Sequence, residues 1–129
     1  MGAETSKKKT VLVCDDHATL LIMLKHLLSS KGFDVLTAGD GVEGLDLVKN
    51  EGPDLLLLDL QMPFSDGLSV LEGLKDAGKK PYTIVISGYE GEGKRKKASD
   101  LGAQEVWKKP FNVTELLSRI QTLKDQGII

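Results

Sequence analysis

Leu55-Leu56-Leu57-Leu58-Asp59 is a short apolar run that ends in a carboxylate. Periodicity alone cannot decide whether four consecutive leucines form a buried helix or a buried strand. Pro53 lies before the run and Met62-Pro63 lies after it, so the prolines limit the run to the length of a strand. A continuous apolar run of this length is typical of a strand that helices cover on both faces of a parallel sheet.

Similar runs recur along the chain and alternate with segments of helical periodicity. The other predicted strands are 11–14, 35–38, 83–86 and 106–107. Strict alternation of strands and helices predicts an α/β fold with one open parallel sheet and helices on both sides. In such sheets ligands bind beyond the carboxyl ends of the strands, where the strand order reverses.

The intervening helices are predicted from apolar stripes and from capping residues. The first helix has apolar residues at i, i+3, i+4, i+7 and i+8 and would end near Gly32; this stripe is Leu20, Met23, Leu24, Leu27 and Leu28. Asp40 and Asn112, each with a glutamate three residues further on, are the predicted starts of the second and fifth helices, and the third is expected to run from about Asp66. Gly78 is expected to end the third helix.

The fourth helix, near Gly93 to Leu101, is predicted to be weak. Its beginning reads Gly91-Glu92-Gly93, and each interior glycine costs a helix about 1 kcal/mol relative to alanine. We therefore expect a short element that is mobile at its start. The basic run Lys94 to Lys97 is either a solvated helix face or a contact for an acidic partner surface.

Composition restricts the class of protein. The 129 residues suit one domain, and the formal net charge of −2 gives no general attraction to nucleic acid or to an acidic membrane. No apolar run approaches the roughly 18 residues that cross a bilayer. The single cysteine, Cys14, excludes an internal disulfide framework, and no secretory signal is visible. These features predict a cytoplasmic protein.

Charged and polar groups follow the predicted strands in an unusual combination. Asp15-Asp16 ends the first strand, Asp59 the third, Ser87 the fourth and Lys109-Pro110 the fifth. Carboxylates that meet on one rim repel each other, and a hard cation such as Mg²⁺ relieves that repulsion. A lysine and a hydroxyl beside them would stabilise a phosphoryl group, and a central aspartate could accept it covalently.

These elements resemble the receiver-domain signature of response regulators, and the similarity is to the stand-alone chemotaxis type. The matching residues are Asp15-Asp16, Asp59-Leu60-Gln61-Met62-Pro63 with Asp66-Gly67, Ser87-Gly88 and Lys109-Pro110-Phe111. The resemblance implies a single doubly wound, flavodoxin-like sheet of five parallel strands in the order 2-1-3-4-5, with five helices. We assign the receiver domain to 10–125 and expect a flexible leader at 1–9 and a tail at 126–129.

The resemblance further implies a role for each matching residue. Asp59 would be the phosphoacceptor, Asp16 a direct Mg²⁺ ligand and Asp15 a ligand mainly through water, with the backbone carbonyl of Gln61 completing the protein ligands. Lys109 would pair first with Asp59 and then with a phosphoryl oxygen. Ser87 would move to bond the phosphoryl group. The Lys109-Pro110 peptide is expected to be cis.

The implied function is a phosphorylation-dependent switch rather than a turnover enzyme. The phosphoryl group would come from a phosphohistidine on a sensor kinase or a histidine phosphotransfer protein. The signal would reach a downstream protein through the face made by the fourth helix, the fifth strand and the fifth helix.

One departure from the family pattern and two alternative functions remain. Many receiver domains have an aromatic switch residue three positions before the lysine, but Val106 lies there, followed by Trp107, which is either an exposed contact or a partly buried core residue. The alternatives are a magnesium-dependent phosphohydrolase and a flavin- or nucleotide-binding protein. His17 follows the acid pair, and we interpret it as an exposed residue at a helix start rather than a metal ligand.

Overall fold

Strands and helices alternate in the structure, a computed structural model that describes residues 8–62, 66–88 and 92–129. The strands are β1 (Thr10–Cys14), β2 (Asp34–Ala38), β3 (Leu55–Asp59), β4 (Tyr82–Ser87) and β5 (Glu105–Lys108). The helices are α1 (Ala18–Ser30), α2 (Gly41–Glu51), α3 (Gly67–Ala77), α4 (Glu92–Asp100) and α5 (Val113–Asp125). No helix in these ranges is both long enough and apolar enough to cross a membrane. Most of the predicted leader, Pro63 of the signature and Gly91 before α4 lie outside the described residues.

The strands form one parallel sheet in the order β2-β1-β3-β4-β5, which confirms the predicted fold class. Strand β3, the leucine run, lies at the centre between β1 and β4. Cys14 is in register with Leu58, and Asp59 is in register with Ile86. The residues that follow β1, β3 and β4 therefore emerge side by side at the carboxyl edge of the sheet.

Two apolar clusters cover the two faces of the sheet, which explains why β3 is apolar throughout. Leu56 and Leu58 belong to the cluster that includes residues of α2 and α3. Leu55 and Leu57 belong to the opposite cluster, with residues of α1 and α5. Side chains alternate across a strand, so a strand buried on both faces has no polar position until Asp59.

The predicted caps Asp40 and Asn112 are confirmed, and the structure shows a third cap at Asp66. The side chains of Asp40, Asp66 and Asn112 accept hydrogen bonds from backbone N–H groups three residues further on, at 2.9, 3.0 and 3.0 Å. Each bond satisfies a donor that the first helical turn leaves without an internal partner. Gly78 ends α3 with a φ of 69°, a left-handed conformation that glycine adopts without strain.

The predicted apolar stripe of α1 is partly wrong. Leu24 and Leu28 are fully buried, but Met23 is 37% exposed, while Leu21 packs against the core instead. Successive helical residues are rotated by about 100°, so Leu21 lies only about 20° from Leu28 whereas Met23 lies about 140° from it. Met23 therefore falls at the solvent edge of the stripe.

Candidate functional site

The groups predicted to meet at the carboxyl edge of the sheet are brought together there by backbone hydrogen bonds. Asp15 continues the path of β1, and its backbone N–H donates to the carbonyl of Ala38 at 3.0 Å. Lys109 continues β5, and its backbone N–H donates to the carbonyl of Ser87 at 2.7 Å. The Lys109-Pro110 peptide is cis, as expected.

The Lys109 ammonium group bridges two carboxylates from different strands. Its Nζ lies 3.1 Å from Oδ2 of Asp59 and 3.3 Å from Oδ2 of Asp15. Burial alone would lower the pKa of Lys109, but the charges and hydrogen bonds of Asp59 and Asp15 outweigh it and raise the pKa. Lys109 therefore stays positively charged over the whole physiological pH range.

The Asp59 carboxylate is almost completely enclosed, with 3% of the residue exposed. Its Oδ1 accepts a hydrogen bond from the backbone N–H of Gln61 at 3.1 Å. Burial raises the pKa of Asp59 and the nearby charge of Asp15 raises it further, while the Gln61 N–H and Lys109 offset only part of this increase. The fold therefore disfavours the ionised form of Asp59. A further positive charge nearby, or a covalent bond to the carboxylate, would remove this unfavourable energy.

Asp15 and Asp16 complete an acidic group around Asp59. Asp15 is 2% exposed, whereas Asp16 is exposed at the rim. Oxygen atoms of these three carboxylates and a nitrogen of His17 all lie within 4.8 Å of one another. Hard oxygen donors at this spacing fit a divalent cation such as Mg²⁺, and Gln61 lines the same cleft.

Ser87 contributes a buried hydroxyl at the end of β4. The residue is 0% exposed, and its Oγ has no hydrogen-bond partner in the part of the chain that the structure describes. Leaving a buried polar group unsatisfied typically costs about 1–3 kcal/mol. A bound oxygen atom would satisfy this hydroxyl.

Asp16 and Asp59 line an open cleft of about 930 Å³. One wall of the cleft is apolar and comes from the starts of α1 and α5 and the loop before α5; it consists of Leu20, Pro110, Phe111 and Val113. The polar lining comes from Asp16, His17, Asp59, Gln61 and Lys109. The cleft therefore places charged groups beside an apolar surface that is open to solvent.

The sequence profile described as "Response regulator receiver domain" matches residues 11–121, which is most of the chain. The chain belongs to the response-regulator receiver family. Members of this family are phosphorylation-dependent switches of two-component signalling rather than turnover enzymes, and they generally bind Mg²⁺ at an acidic cluster. Family membership argues against the hydrolase and flavoprotein alternatives.

Curated relatives and solved structures agree with this assignment. The response regulator MprA of Mycobacterium sp. (strain KMS) is 38% identical over 113 residues, which cover 88% of this chain and 49% of the relative. MprA of Mycobacterium tuberculosis (strain ATCC 25177 / H37Ra) is 37% identical over 113 residues, which again cover 88% of this chain and 49% of the relative. The chain thus spans about half the length of these relatives.

Two structural neighbours illustrate the similarity of fold. A CheY-like receiver domain from Methanospirillum hungatei JF-1 aligns with a TM-score of 0.86 and 28% identity, covering 93% of this chain and 96% of its own. A chain of the CheX–CheY–BeF₃–Mg²⁺ complex from Borrelia burgdorferi aligns with a TM-score of 0.82 and 29% identity, covering 94% and 92%. The Borrelia complex thus contains magnesium and beryllofluoride together with CheX and CheY.

In this receiver domain Val106 and Trp107 are both half-buried on β5. Trp107 packs against the apolar cluster of α1 and α5, and its Nε1 donates to Oε1 of Glu105 at 3.0 Å. Of the two interpretations of Trp107, the structure therefore favours the partly buried core residue. No aromatic ring occupies position 106, where many family members have one.

The Glu105 carboxylate was not singled out from the sequence, although it joins three elements. Besides Trp107, it accepts hydrogen bonds from the Tyr82 hydroxyl at 2.6 Å and from Nε of Arg119 at 2.8 Å. Burial would raise the pKa of Glu105, but the bonds from Arg119, Tyr82 and Trp107 outweigh it and lower the pKa. The spacing of Glu105 and Trp107, two apart on a strand, was the signal that they share a face.

Sequence reasoning also missed the environment of His17. The residue lies at the amino-terminal cap position of α1 and its side chain is 66% exposed, as expected. However, its ring nitrogen Nδ1 lies 2.8 Å from Oδ1 of Asp15. The one feature of the sequence that could have indicated this contact is that His17 directly follows Asp15-Asp16.

Proposed function

We propose that Asp59 of this receiver domain accepts a phosphoryl group from a phosphohistidine on a sensor histidine kinase or a histidine phosphotransfer protein. A carboxylate oxygen of Asp59 attacks phosphorus, the bond between phosphorus and the donor imidazole breaks, and its electron pair returns to that imidazole. The observation that carries the proposal is the Asp59 carboxylate, buried beside Asp15 and held 3.1 Å from the Lys109 ammonium. Water later hydrolyses the acyl phosphate.

Asp15, Asp16, Asp59 and the backbone carbonyl of Gln61 would hold the Mg²⁺ ion. When bound, the ion supplies positive charge to the oxygens of the transferring phosphoryl group and relieves the repulsion among the carboxylates. The close spacing of the acidic donors supports this assignment. Asp16 is the exposed member of the group and the one most accessible to an arriving ion.

Lys109 and Ser87 would bind the phosphoryl group after transfer. Lys109 exchanges its contact with Asp59 for one with a phosphoryl oxygen and keeps Asp15 as a second partner, 3.3 Å away. The Ser87 hydroxyl, which is buried without a partner among the described residues, donates to another phosphoryl oxygen. Both interactions become available only when the phosphoryl group is present, so they favour the phosphorylated conformation.

The output surface would be the face made by α4, β5 and α5. Because Val106 cannot act as an aromatic switch, movement of Ser87 and of α4 would carry the signal to a downstream protein. Ala98 is the one buried residue among the described side chains of α4, so few apolar contacts hold this helix in place. We propose that the switch, residues 10–125, does not contact nucleic acid or a membrane directly. We also propose that it acts in the cytoplasm.

The decisive experiment is incubation of the protein with Mg²⁺ and acetyl phosphate, followed by intact mass spectrometry. We expect an adduct with the mass of one phosphoryl group, which disappears when EDTA is present during the incubation. Asp59→Asn should form no adduct, whereas Asp76→Asn, at an exposed position on α3, should form it normally. An adduct that persists in Asp59→Asn would show that Asp59 is not the acceptor.

A further inference from the structure

His17 directs a ring nitrogen toward the acidic group rather than toward its own helix. Its Nδ1 lies 2.8 Å from Oδ1 of Asp15 and 3.4 Å from Oδ1 of Asp16. The backbone N–H of His17 also donates to Oδ1 of Asp15, at 2.9 Å. The histidine is thus anchored at the acid pair by both its backbone and its side chain.

An ordinary role at the start of a helix does not account for this side chain. His17 is the residue before α1, but its side chain makes no capping hydrogen bond with the helix. The side chain is 66% exposed and therefore contributes little to the core. Its defined contacts are with the two carboxylates.

The positions of the donor atoms fit a single ion. One ligand atom from each of Asp15, Asp16, His17 and Asp59 lies within 4.8 Å of the other three. Octahedral ligands with bonds of about 2.1 Å lie about 3 Å apart when adjacent and about 4.2 Å apart when opposite. The 4.8 Å limit is slightly wider than this, so the side chains would move inward to share an ion. Because the Asp15 carboxylate can only accept a hydrogen bond, Nδ1 of His17 donates in the 2.8 Å contact. A bound metal ion would replace that proton, and the neutral imidazole would then carry its proton on Nε2.

We propose that His17 is a nitrogen ligand of the cation at this site and makes the site selective for first-row transition ions over Mg²⁺. The inference rests on the proposed function because the same carboxylates hold the ion. Imidazole nitrogen suits ions such as Co²⁺ and Ni²⁺, whereas Mg²⁺ prefers oxygen ligands. Loss of His17 should therefore weaken the binding of transition ions more than the binding of Mg²⁺.

Two measurements on the full chain test the proposal. Pulsed electron paramagnetic resonance of bound Mn²⁺ should show coupling to one imidazole nitrogen, and this coupling should be absent in His17→Asn. Calorimetric titration should show that His17→Asn weakens Co²⁺ binding by about tenfold or more, with a much smaller effect on Mg²⁺. Loss of a residue that only hydrogen-bonds to a metal ligand already weakens binding by about this factor. His26→Asn is the matched control, since His26 is an exposed histidine within α1, away from the acidic group.

The outcomes separate this proposal from the proposed function. Mn²⁺ without nitrogen coupling, or equal weakening of Co²⁺ and Mg²⁺ binding in His17→Asn, would show that the histidine only orients Asp15 and would overturn the inference. Phosphorylation by acetyl phosphate with Mg²⁺ would still proceed in that case. Absence of any adduct on Asp59 would instead refute the proposed function, whatever the ligands of Mn²⁺. Thermal unfolding of each variant verifies that it is folded.

Discussion

At the scale of single residues, burial of the Asp59 side chain suits the role proposed for it. It is 3% exposed and lies close to Asp15, so the raised pKa reflects an ionised form that the fold disfavours. Lys109 and the backbone N–H of Gln61 compensate for only part of this cost. A group that destabilises the native state in this way is typical of a functional site.

We predict that Asp59→Asn increases thermal stability at neutral pH. Asparagine keeps the shape of the side chain and removes a charge that burial and Asp15 disfavour, while Lys109 retains its contact with Asp15. The expected rise in Tm is a few degrees, the scale that about 1 kcal/mol produces in a domain of this size. Thermal unfolding followed by circular dichroism, with the exposed Asp76→Asn as a neutral control, measures it.

The same comparison has a defined pH dependence. Because the pKa of Asp59 is raised in the native state, the native protein binds this proton more readily than the unfolded chain does, and the contribution of Asp59 to stability falls as pH rises above 3.8. The advantage of Asp59→Asn should therefore be greatest at neutral pH and shrink as pH is lowered toward 3.8. A lower Tm for Asp59→Asn than for the unmodified protein at pH 7 would show that the Asp59 charge does not destabilise the native state.

At the scale of elements, the start of α3 is fixed by its close approach to the end of β3. A Cβ atom at Gly67 would lie 2.7 Å from the backbone carbonyl oxygen of Asp59 and 2.8 Å from Cα of Leu60. Backbone atoms cannot move aside as the end of a flexible side chain can. Gly67 is therefore required for packing, and its helix directly borders the backbone that positions Asp59.

We predict opposite effects for alanine at two helical glycines. Gly67→Ala should destabilise the protein by about 1–3 kcal/mol, as overpacking typically does, and should weaken Mg²⁺ binding because the backbone of Asp59 must shift. Gly93→Ala, in α4, should be neutral or stabilising by up to about 1 kcal/mol, since a Cβ atom there meets nothing within 4 Å. Urea unfolding measures both. Equal effects at the two positions would refute the role given to Gly67.

At the scale of the whole molecule, the proposed cation site exists only when the chain is folded. Asp16 follows β1 and Asp59 ends β3, and the two strands meet only through the pairing in the sheet. The unfolded chain has no equivalent site, so an ion that binds the native state shifts the folding equilibrium toward it.

We therefore predict that Mg²⁺ stabilises the whole domain. At a concentration about 100 times its Kd, the ion should increase the free energy of unfolding by about 2.7 kcal/mol. Asp16→Asn should lose most of this increase, and the exposed Asp76→Asn should keep it. Scanning calorimetry with Mg²⁺ and with EDTA provides the measurement. An equal Mg²⁺ effect in Asp16→Asn would remove this residue from the ligand set.

Much of the fold could be predicted from sequence because its signals are local. Continuous apolar runs, the central one bounded by proline, indicated strands buried on both faces, and the caps Asp40 and Asn112 act within a single helical turn. The predicted stripe of α1 failed at Met23 because packing, rather than spacing alone, decides which way a helix is rotated. An apolar residue at the edge of a stripe carries no local signal of its exposure.

The sequence by itself determined the fold class and the rim at which the candidate site residues lie, because the carboxyl ends of parallel strands share one edge of a sheet. Only the tertiary structure decided which of those groups touch. Lys109 bridges Asp59 and Asp15, the Ser87 hydroxyl is buried without a partner in the described part of the chain, and His17 joins the acid pair. Such contacts depend on strand register and on the paths of loops, and these are set by interactions between residues far apart in the chain.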